Sequence, residues 1–263
     1  MVSSHLLVDS HCHIDFPDFS EDLDGVLERA AENGVAYLLC VSVELGKFQQ
    51  IKALTQVHEH IFSSIGTHPN SDCLQSGEPQ VSDLVEGSLD RRGVAIGETG
   101  LDYFRSKGDL GWQKDRFRVH VRAAKKAQLP LIVHSRNAKN DTIAILKDEG
   151  ADEYGGVMHC FTEDWEMACA ALDLGFYISL GRPLIRILDL QKVALNIPIN
   201  RILLETDSFP QPFKKYRENW TEPRHTLDVA NEIGRIKDID VGEVAKITSD
   251  NALHMLENAA MLK

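Results

Sequence analysis

The side chains with the clearest chemical potential begin near the N-terminus, where Asp9-Ser10-His11-Cys12-His13 follows a short apolar run. The run reads as a strand, and side chains alternate between the two faces of a strand. His11 and His13 therefore point the same way, and Cys12 points the other way. Two imidazoles two residues apart at a strand end form one half of a metal site.

Four further polar residues follow similar apolar runs, and they supply the other half of such a site. They are Glu98, His134, His159 and Asp207. Imidazole and carboxylate donors suit Zn²⁺, Mn²⁺ or Mg²⁺. Together with His11 and His13 these donors exceed one tetrahedral shell, so we expect two divalent metal ions. Glu98, on the middle strand, is the natural bridge between them.

Two neighbouring metal ions indicate a hydrolase. They can stabilise both the attacking and the leaving oxygen of an in-line displacement at phosphorus. One ion also lowers the pKa of a water molecule enough to supply hydroxide near neutral pH. The pattern of donors therefore predicts metal-dependent hydrolysis, with a phosphate ester as a suitable substrate.

The elements that must position these donors are eight apolar, β-branched runs. We predict strands at residues 6–8, 37–43, 61–65, 94–96, 131–133, 156–158, 176–179 and 202–204. Between and after them, amphipathic patterns predict helices near residues 21–33, 45–60, 81–90, 112–128, 142–149, 162–174, 188–196, 223–237 and 241–258. Strict alternation of this kind favours a closed (β/α)8 TIM barrel, here with an extra C-terminal helix and a single domain over residues 1–263. The runner-up, an open doubly wound sheet, lacks its Gly-x-Gly-x-x-Gly after the first strand.

In such a barrel the carboxyl ends of the strands form the active face. The six donors fall at this edge of successive strands, as do Thr67-His68-Pro69 and Ser135-Arg136. One polar residue at a strand end is usually structural. A repeated series at the same edge is difficult to obtain by chance, so we expect the donors to meet in one pocket.

Composition restricts the class of protein. The chain has 263 residues, 43% of them hydrophobic, and a formal net charge of −12. The negative charge argues against a protein that coats duplex nucleic acid. No apolar run reaches the roughly 18 residues of a membrane helix, and the first residues show no signal peptide. Five scattered cysteines without a CxxC, among them Cys12, Cys40 and Cys160 in apolar runs, fit reduced core thiols. We expect a cytoplasmic protein.

Seven segments resemble the TatD-family metal-dependent deoxyribonucleases, a group of amidohydrolase-like barrels. They are DSHCHID (9–15), GTHP (66–69), GETGLDY (97–103), PLIVHSR (130–136), HCFT (159–162), LETDS (204–208) and TSDNA (248–252). The resemblance covers nearly the whole chain. It implies hydrolysis of DNA phosphodiesters, often as a 3′-to-5′ exonuclease.

The resemblance also implies roles for the six donors. One metal would be held by His11, His13, Glu98 and Asp207, and the other by Glu98, His134 and His159. Glu98 and Asp207 would be the catalytic residues, and Asp207 would orient or deprotonate the attacking water.

The chain departs from the family pattern at two places. The segment SLGRPLIR (179–186), after the seventh strand, is about two residues shorter than in many relatives. Thr221 stands where relatives carry an Asn after the eighth strand. Neither departure touches a predicted metal ligand, so both bear on contacts with the substrate.

The loop at residues 209–220 is the clearest candidate for contact with a polyanion. It carries four aromatic residues, including Trp220, among the cations Lys214, Lys215 and Arg217. Aromatic and cationic side chains together suit single-stranded nucleic acid, whose bases stack and whose phosphates pair. The alternative is a structural loop whose aromatic rings cover the barrel rim.

Other cations add to the predicted substrate contacts. Arg136 follows His134 closely and is placed for either a phosphate contact or a salt bridge. His68 lies at the same barrel edge and is a further candidate for contact with metal or substrate. Arg182 and Arg186 extend the rim. The predicted substrate is DNA at single-stranded or frayed ends, and we expect the enzyme to be a monomer.

Two other functions remain compatible with the same scaffold. A zinc-dependent hydrolase of a small ester, lactone or amide uses similar donors, because fold alone does not determine function. Glu98 stands where amide hydrolases would need a modifiable Lys, which argues against the amide substrates. A protein that binds metal without catalysis is the second alternative, and the complete set of donors argues against it.

Overall fold

A computed structural model describes residues 6–73, 77–211, 213–214 and 216–260, without the side chains of 257–260. One sheet of eight parallel strands runs through it, and each strand pairs with the next in chain order. The strands are β1 (Leu7–Cys12), β2 (Val35–Cys40), β3 (Ile61–Ile65), β4 (Gly93–Asp102), β5 (Leu131–Arg136), β6 (Gly156–Met158), β7 (Tyr177–Leu180) and β8 (Ile202–Leu204).

The sheet curls until β8 returns to β1. Just past the end of β8, the Asp207 amide donates to the carbonyl of His11 over 2.9 Å, and the His13 amide donates to the carbonyl of Ser208 over 2.8 Å. Cys12 and Ser208 form an isolated parallel bridge. The last contacts of the barrel therefore lie among the predicted metal donors, and the predicted TIM barrel is confirmed. The doubly wound alternative is excluded.

Helices cover the outside of the barrel. They are α1 (Pro17–Ser20), α2 (Leu23–Glu32), α3 (Phe48–Val57), α4 (Val81–Gly87), α5 (Gly111–Ala127), α6 (Lys139–Asp148), α7 (Trp165–Asp173), α8 (Leu188–Asn196), α9 (Thr226–Lys237) and α10 (Val241–Ala260). Because strands such as β8 are buried on both faces, they read as continuous apolar runs in the sequence. None of the helices in the described ranges has the length and apolar character needed to cross a membrane.

The predicted extra helix is α10, and it supports the amino-terminal end of the barrel. The Ser249 hydroxyl donates to the carbonyl of Leu6 over 2.8 Å. The side-chain Nδ2 of Asn251 donates to the backbone carbonyls of Ile199 and Ile202 over 3.0 and 2.9 Å. These bonds satisfy backbone groups at the starts of β1 and β8 that no neighbouring strand reaches.

Several element boundaries differ from the predictions, and the structure gives a reason for the main differences. Glu98 and His134 lie inside β4 and β5, because the strand ladder continues beyond the apolar residues on which the prediction rested. The helix predicted over residues 45–60 is divided into a 3-10 turn at Leu45–Lys47 and α3. Because the backbone of His58 is extended, α3 ends at Val57. The short α1 was not predicted, although Pro17 is well suited to a first helical position.

Candidate metal centre

Three predicted donors meet where the barrel closes. The Nε2 atoms of His11 and His13 lie 3.1 Å apart at the end of β1. From across the seam, Asp207 Oδ1 lies 3.5 Å from His13 Nε2 and 3.9 Å from His11 Nε2. Asp207 has a φ of 48°, in the left-handed region that a residue other than Gly seldom adopts. The closing hydrogen bonds hold it in this conformation, beside the imidazoles.

Glu98 lies between this group and a second one. Its Oε2 atom lies 3.4 Å from His11 Nε2 and 3.7 Å from His13 Nε2. Its Oε1 atom lies 2.9 Å from His159 Nε2 and 3.1 Å from His134 Nδ1. The two oxygens of one buried carboxylate therefore face two different sets of imidazoles.

These atoms make a donor set that fits divalent cations. Three groups of side chains place one donor each within 4.8 Å of one another. They are His11, His13 and Asp207; His11, Glu98 and His159; and His68, Glu98 and His134. Nitrogen and carboxylate oxygen donors at this density match the ligands of Zn²⁺ and Mn²⁺, and the more oxygen-rich side also suits Mg²⁺.

Each of three imidazoles faces an oxygen with its remaining nitrogen. His13 Nδ1 lies 2.9 Å from the carbonyl of Val41. His134 Nε2 lies 3.4 Å from Asp102 Oδ2, and His159 Nδ1 lies 3.5 Å from Glu205 Oε1. An oxygen at one ring nitrogen favours a proton there and leaves the lone pair of the other nitrogen available to a metal ion.

Glycine is required where β4 meets β5. Gly100 has a φ of 132°, and a Cβ built on it would lie 1.9 Å from the carbonyl oxygen of His134. Any other residue would displace the backbone that carries this imidazole. The Gly in the predicted motif GETGLDY thus sets the distance between the two strands at the site.

Asp9 ties the ends of β1 and β8 together beneath the site. Its carboxylate accepts from the Thr206 hydroxyl over 2.6 Å, from the Thr206 amide over 3.0 Å and from the His11 amide over 3.2 Å. Complete burial raises the pKa of Asp9 to about 8, although these hydrogen bonds act to lower it. Asp9 positions the backbone on either side of the site and does not face its centre.

The electrostatics of the cluster suit a cation. Burial acts to raise the pKa of Glu98, but the surrounding imidazoles, His159 first, outweigh it and hold that pKa well below its usual range. Burial acts to lower the pKa of His13, but the hydrogen bond and charge of Asp207 raise it to about 9. Without metal, protons on imidazoles neutralise the carboxylates, and a divalent ion would take over that role.

His68 faces the same carboxylate but differs in protonation. Its Nδ1 accepts a hydrogen bond from the Asn70 amide over 3.0 Å, and its Nε2 lies 3.4 Å from Glu98 Oε1. Burial lowers the pKa of His68 to about 4, so the ring is neutral at pH 7. A neutral imidazole that accepts at Nδ1 carries its proton on Nε2. His68 therefore presents a donor hydrogen to the site, where a metal would need a lone pair.

Five of the six donors, all but the fully buried His11, line a cavity of about 600 Å³ that also contains Arg136 and Arg105. Cys160 lines the same cavity, so the prediction that it is a core thiol is wrong. Its φ of 42° interrupts the alternation on which that prediction rested. Cys12 and Cys40 are buried thiols, as predicted.

The 209–220 loop presents its cations differently from the prediction. Lys214 Nζ donates to the carbonyl of Asn219 over 2.6 Å. Arg217 lies 3.1 Å from a carboxylate oxygen of Glu21. Both retain partial exposure, but each already has a partner. Lys215 lies outside the described residues.

Trp220 does not offer the predicted stacking face. It is only 7% exposed, and its ring packs edge-on against Phe19 with centroids 5.7 Å apart. The prediction of an open stacking platform at Trp220 is therefore wrong for this structure. The physical reason is that α1, which was not predicted, supplies the apolar surface that covers the indole.

Thr221, one of the two departures from the family pattern, is also buried, and it contacts the segment at residues 179–186, which is the other departure. Its hydroxyl accepts from Gln211 Nε2 over 3.2 Å and from Arg182 Nη1 over 3.3 Å, and its amide donates to Gln211 Oε1 over 3.1 Å. The segment after β7 and the loop after β8 are thus joined through one threonine hydroxyl.

Sequence reasoning missed part of the polar support around the site. The Glu205 carboxylate accepts from the backbone amide of Cys160 over 2.7 Å, and the side-chain Nδ2 of Asn70 donates to Asp102 Oδ2 over 2.7 Å. The position of Glu205, directly after β8, was a usable signal. For Asn70 there was none, because it lies in the long loop after β3.

Comparison with known proteins agrees with this geometry. A family model described as TatD related DNase matches residues 8–257. The chain is 38% identical to the Escherichia coli protein YcfH, an uncharacterized metal-dependent hydrolase, with 93% of each chain covered. It is 33% identical to human deoxyribonuclease TATDN3, over 95% of this chain and 94% of the human one.

A solved structure shows the same fold. The E. coli TatD homologue YjjV superposes with a TM-score of 0.83 at 27% identity, over 95% of this chain and 98% of that one. The family model and the relatives each cover almost the whole chain. The protein therefore belongs to the TatD family of metal-dependent hydrolases.

Proposed function

We propose that the protein is a phosphodiesterase that removes nucleotides from single-stranded or frayed DNA ends, in the 3′-to-5′ direction, with two divalent metal ions. The observation that carries the proposal is the position of Glu98. One of its oxygens faces His11 and His13, and the other faces His134 and His159. This is the arrangement expected of a carboxylate that bridges two ions.

The six donors would divide between the ions as the family resemblance implies. His11, His13, Glu98 and Asp207 would hold one ion. The other ion would be held by Glu98, His134 and His159. Bound divalent ions supply Lewis-acid stabilisation of charge on phosphoryl oxygens and lower the pKa of water.

Asp207 is the ligand best placed to handle the proton of the attacking water. Its side chain is 30% exposed, whereas that of Glu98 is 4% exposed. Hydrogen bonding and charge from neighbouring imidazoles, with His13 foremost, outweigh burial and keep the pKa of Asp207 below its usual value. Asp207 is therefore ionised and open to solvent, and it can orient a water molecule and accept its proton.

His68 and Arg136 would bind the substrate beside the ions. His68 carries its proton on Nε2, facing the centre of the site, and can donate it to a phosphoryl oxygen. Arg136 lines the cavity within two residues of His134. A guanidinium there suits a phosphate oxygen, because it presents several donors in a planar fork.

A DNA substrate is supported by the name of the human relative, a deoxyribonuclease, and by arginines in a pocket of a protein with net charge −12. Single-stranded ends are favoured because the ligands lie at the bottom of a cavity, which a blunt duplex enters poorly. A monomer and a single domain over residues 1–263 stay predictions.

The test is an exonuclease assay on labelled oligonucleotides. The purified protein is stripped of metal, reloaded with Zn²⁺, Mn²⁺ or Mg²⁺, and given single-stranded DNA labelled at either end. We expect shortening from the 3′ end, and loss of activity in His134→Ala and His159→Ala together with one metal equivalent. Full metal content and rate in both variants would refute the ligand assignment.

The same assay separates the alternatives. Hydrolysis of a small ester or lactone, with intact oligonucleotides under every metal, would favour the small-molecule hydrolase. No turnover of either substrate class by metal-loaded protein would favour the scaffold without catalysis.

A further inference from the structure

An exposed aromatic residue lies beside the cavity, packed against the lining residue Arg136. Phe104 follows β4 and is 58% exposed. The guanidinium carbon of Arg136 lies 4.1 Å from the centroid of its ring. Asp102, two residues before it, and Arg105, directly after it, both line the cavity. Phe104 therefore combines a large exposed apolar surface with a position at the rim.

The backbone that carries Phe104 is tied to a metal donor. Asp102 Oδ1 accepts from the amides of Phe104 and Arg105 over 3.0 and 2.9 Å. The other oxygen of the same carboxylate lies 3.4 Å from His134 Nε2. One side chain thus holds both the aromatic ring and an imidazole of the metal site.

A hydrogen-bond network makes this rim rigid. The Ser106 hydroxyl donates to Asn70 Oδ1 over 2.8 Å, and Gln113 Nε2 donates to the Ser106 hydroxyl over 2.9 Å. Gln113 Oε1 accepts from the Asp102 amide over 3.0 Å. An exposed ring on a fixed backbone loses little entropy when a ligand stacks on it.

The cations beside Phe104 are available to an anion. Within the described residues, no ion pair joins a carboxylate to the guanidinium of Arg136 or Arg105. Arg217, in the 209–220 loop, is instead paired with Glu21. In a protein with net charge −12, arginines left without a carboxylate at a cavity mouth indicate an anionic ligand.

We infer that Phe104 binds the unpaired base at the end of the DNA substrate, while Arg136 binds the adjoining phosphate. This inference rests on the proposed function and specifies how that site recognises its substrate. A base stacks on an aromatic ring regardless of its sequence, and the cation behind the ring strengthens the stack. A base paired in a duplex has no free face, so the site selects frayed or single-stranded ends.

Phe213, a 76% exposed residue of the 209–220 loop, serves as the matched control. Neither ring lines the cavity itself, but Phe104 packs against the lining residue Arg136, whereas no described residue from 210 to 218 lines the cavity. Phe104→Ala and Phe213→Ala therefore remove the same side chain from two exposed positions. Phe104→Tyr keeps the ring and should keep the function.

The experiment measures kcat and KM on two single-stranded oligonucleotides that differ only at the 3′-terminal nucleotide, which is either normal or abasic. For Phe104→Ala we expect KM on the normal substrate to rise by about 5- to 150-fold, the range reported by alanine substitution for one stacked base. Phe104→Tyr and Phe213→Ala should retain the wild-type KM. On the abasic substrate, wild type and Phe104→Ala should have equal KM.

Metal content and thermal stability of each variant are measured in parallel, so that a misfolded variant is recognised. If Phe104→Ala alone is unstable, Phe104→Leu replaces it in the same comparison. A wild-type KM in the folded variant, or an equal loss on both substrates, would overturn the stacking role. If the wild type degrades neither oligonucleotide, the proposed function itself fails.

Discussion

The floor of the cavity and the 209–220 loop differ in how their side chains are held. On the floor, imidazoles such as His134 and His159 face Glu98 with one nitrogen and a second carboxylate with the other. In the loop, Lys214 bonds a nearby carbonyl and Arg217 pairs with an exposed carboxylate. The floor donors are largely buried and face one another, whereas the loop cations are partly exposed and have one partner each.

This difference separates the two parts of the function. In the proposed mechanism, buried and oriented donors determine which ions bind and how a water is activated, so small displacements there are costly. Exposed cations attract a polyanion over a distance, but salt screens them and each contributes little. Changes on the floor should therefore alter metal content and kcat, and removal of the loop cations should alter KM and its dependence on salt.

The largest effect is expected from Glu98→Gln. The substitution keeps the shape but removes the charge that faces both sets of imidazoles. Metal content should fall and kcat should drop by about 10³-fold or more, because several kcal/mol of charge stabilisation are lost. Elemental analysis and single-strand hydrolysis measure both effects. Glu44→Gln, a carboxylate lining the same cavity beside Lys47, is the control and should retain both. Normal metal content in Glu98→Gln would contradict the bridging role.

Asp207→Asn should abolish most activity while it retains part of the metal. The amide is a weak ligand and cannot accept a proton from water. The acidic limb of the pH–rate profile should be lost or shifted, because the ionised Asp207 is required on that side. A profile identical to that of the wild type would remove Asp207 from the mechanism.

Asp102→Asn and Glu205→Gln should have intermediate effects. Each removes the negative charge behind one imidazole, and such supporting groups typically contribute about 10- to 100-fold in metal affinity or activity. Metal titration against a competing chelator measures the change. Asp141→Asn, which removes a carboxylate from the outer surface near Tyr103, is the control. Unchanged affinity in both variants would show that the two carboxylates serve only to hold the loops.

Removal of loop cations should have a smaller effect. Lys214→Gln combined with Arg217→Gln should raise KM and flatten its salt dependence, since fewer counterions are released when single-stranded DNA binds. At saturating substrate, kcat should match the wild type. Steady-state kinetics over a salt series tests this, and Lys192→Gln with Arg235→Gln, on the distant helices α8 and α9, is the matched control. If KM of the double variant depends on salt as in the wild type, the loop does not bind the substrate and serves only to cover the barrel rim.

The smallest effect on substrate binding is expected from Trp220→Ala. The indole is buried against Phe19, so its loss should lower the free energy of unfolding by about 3–5 kcal/mol. In protein that remains folded, KM should change little. Denaturant unfolding and kinetics on the same sample compare the two. A large rise in KM at unchanged stability would restore Trp220 as a stacking residue.

The sequence alone predicted the barrel and the clustering of its donors. Strand alternation and helical periodicity are local, so His11 and His13 could be placed on one face from their spacing. Strict alternation of strands and helices then leads to a parallel barrel, whose carboxyl ends must meet. Three strands, β3, β6 and β8, have the bounds that were predicted.

Only the tertiary structure decided how the remaining side chains are used. Burial of Trp220 depends on α1, which is distant in sequence, and the tautomer of His68 depends on a backbone amide in its own loop. The contact of exposed Phe104 with Arg136 requires β4 and β5 to pair in register up to Asp102 and Arg136. Loop packing has no period that a sequence can display, since it results from contacts between residues far apart in the chain. The clustering of the predicted metal donors could therefore be predicted from the sequence, whereas the exposure and contacts of the side chains around them could not.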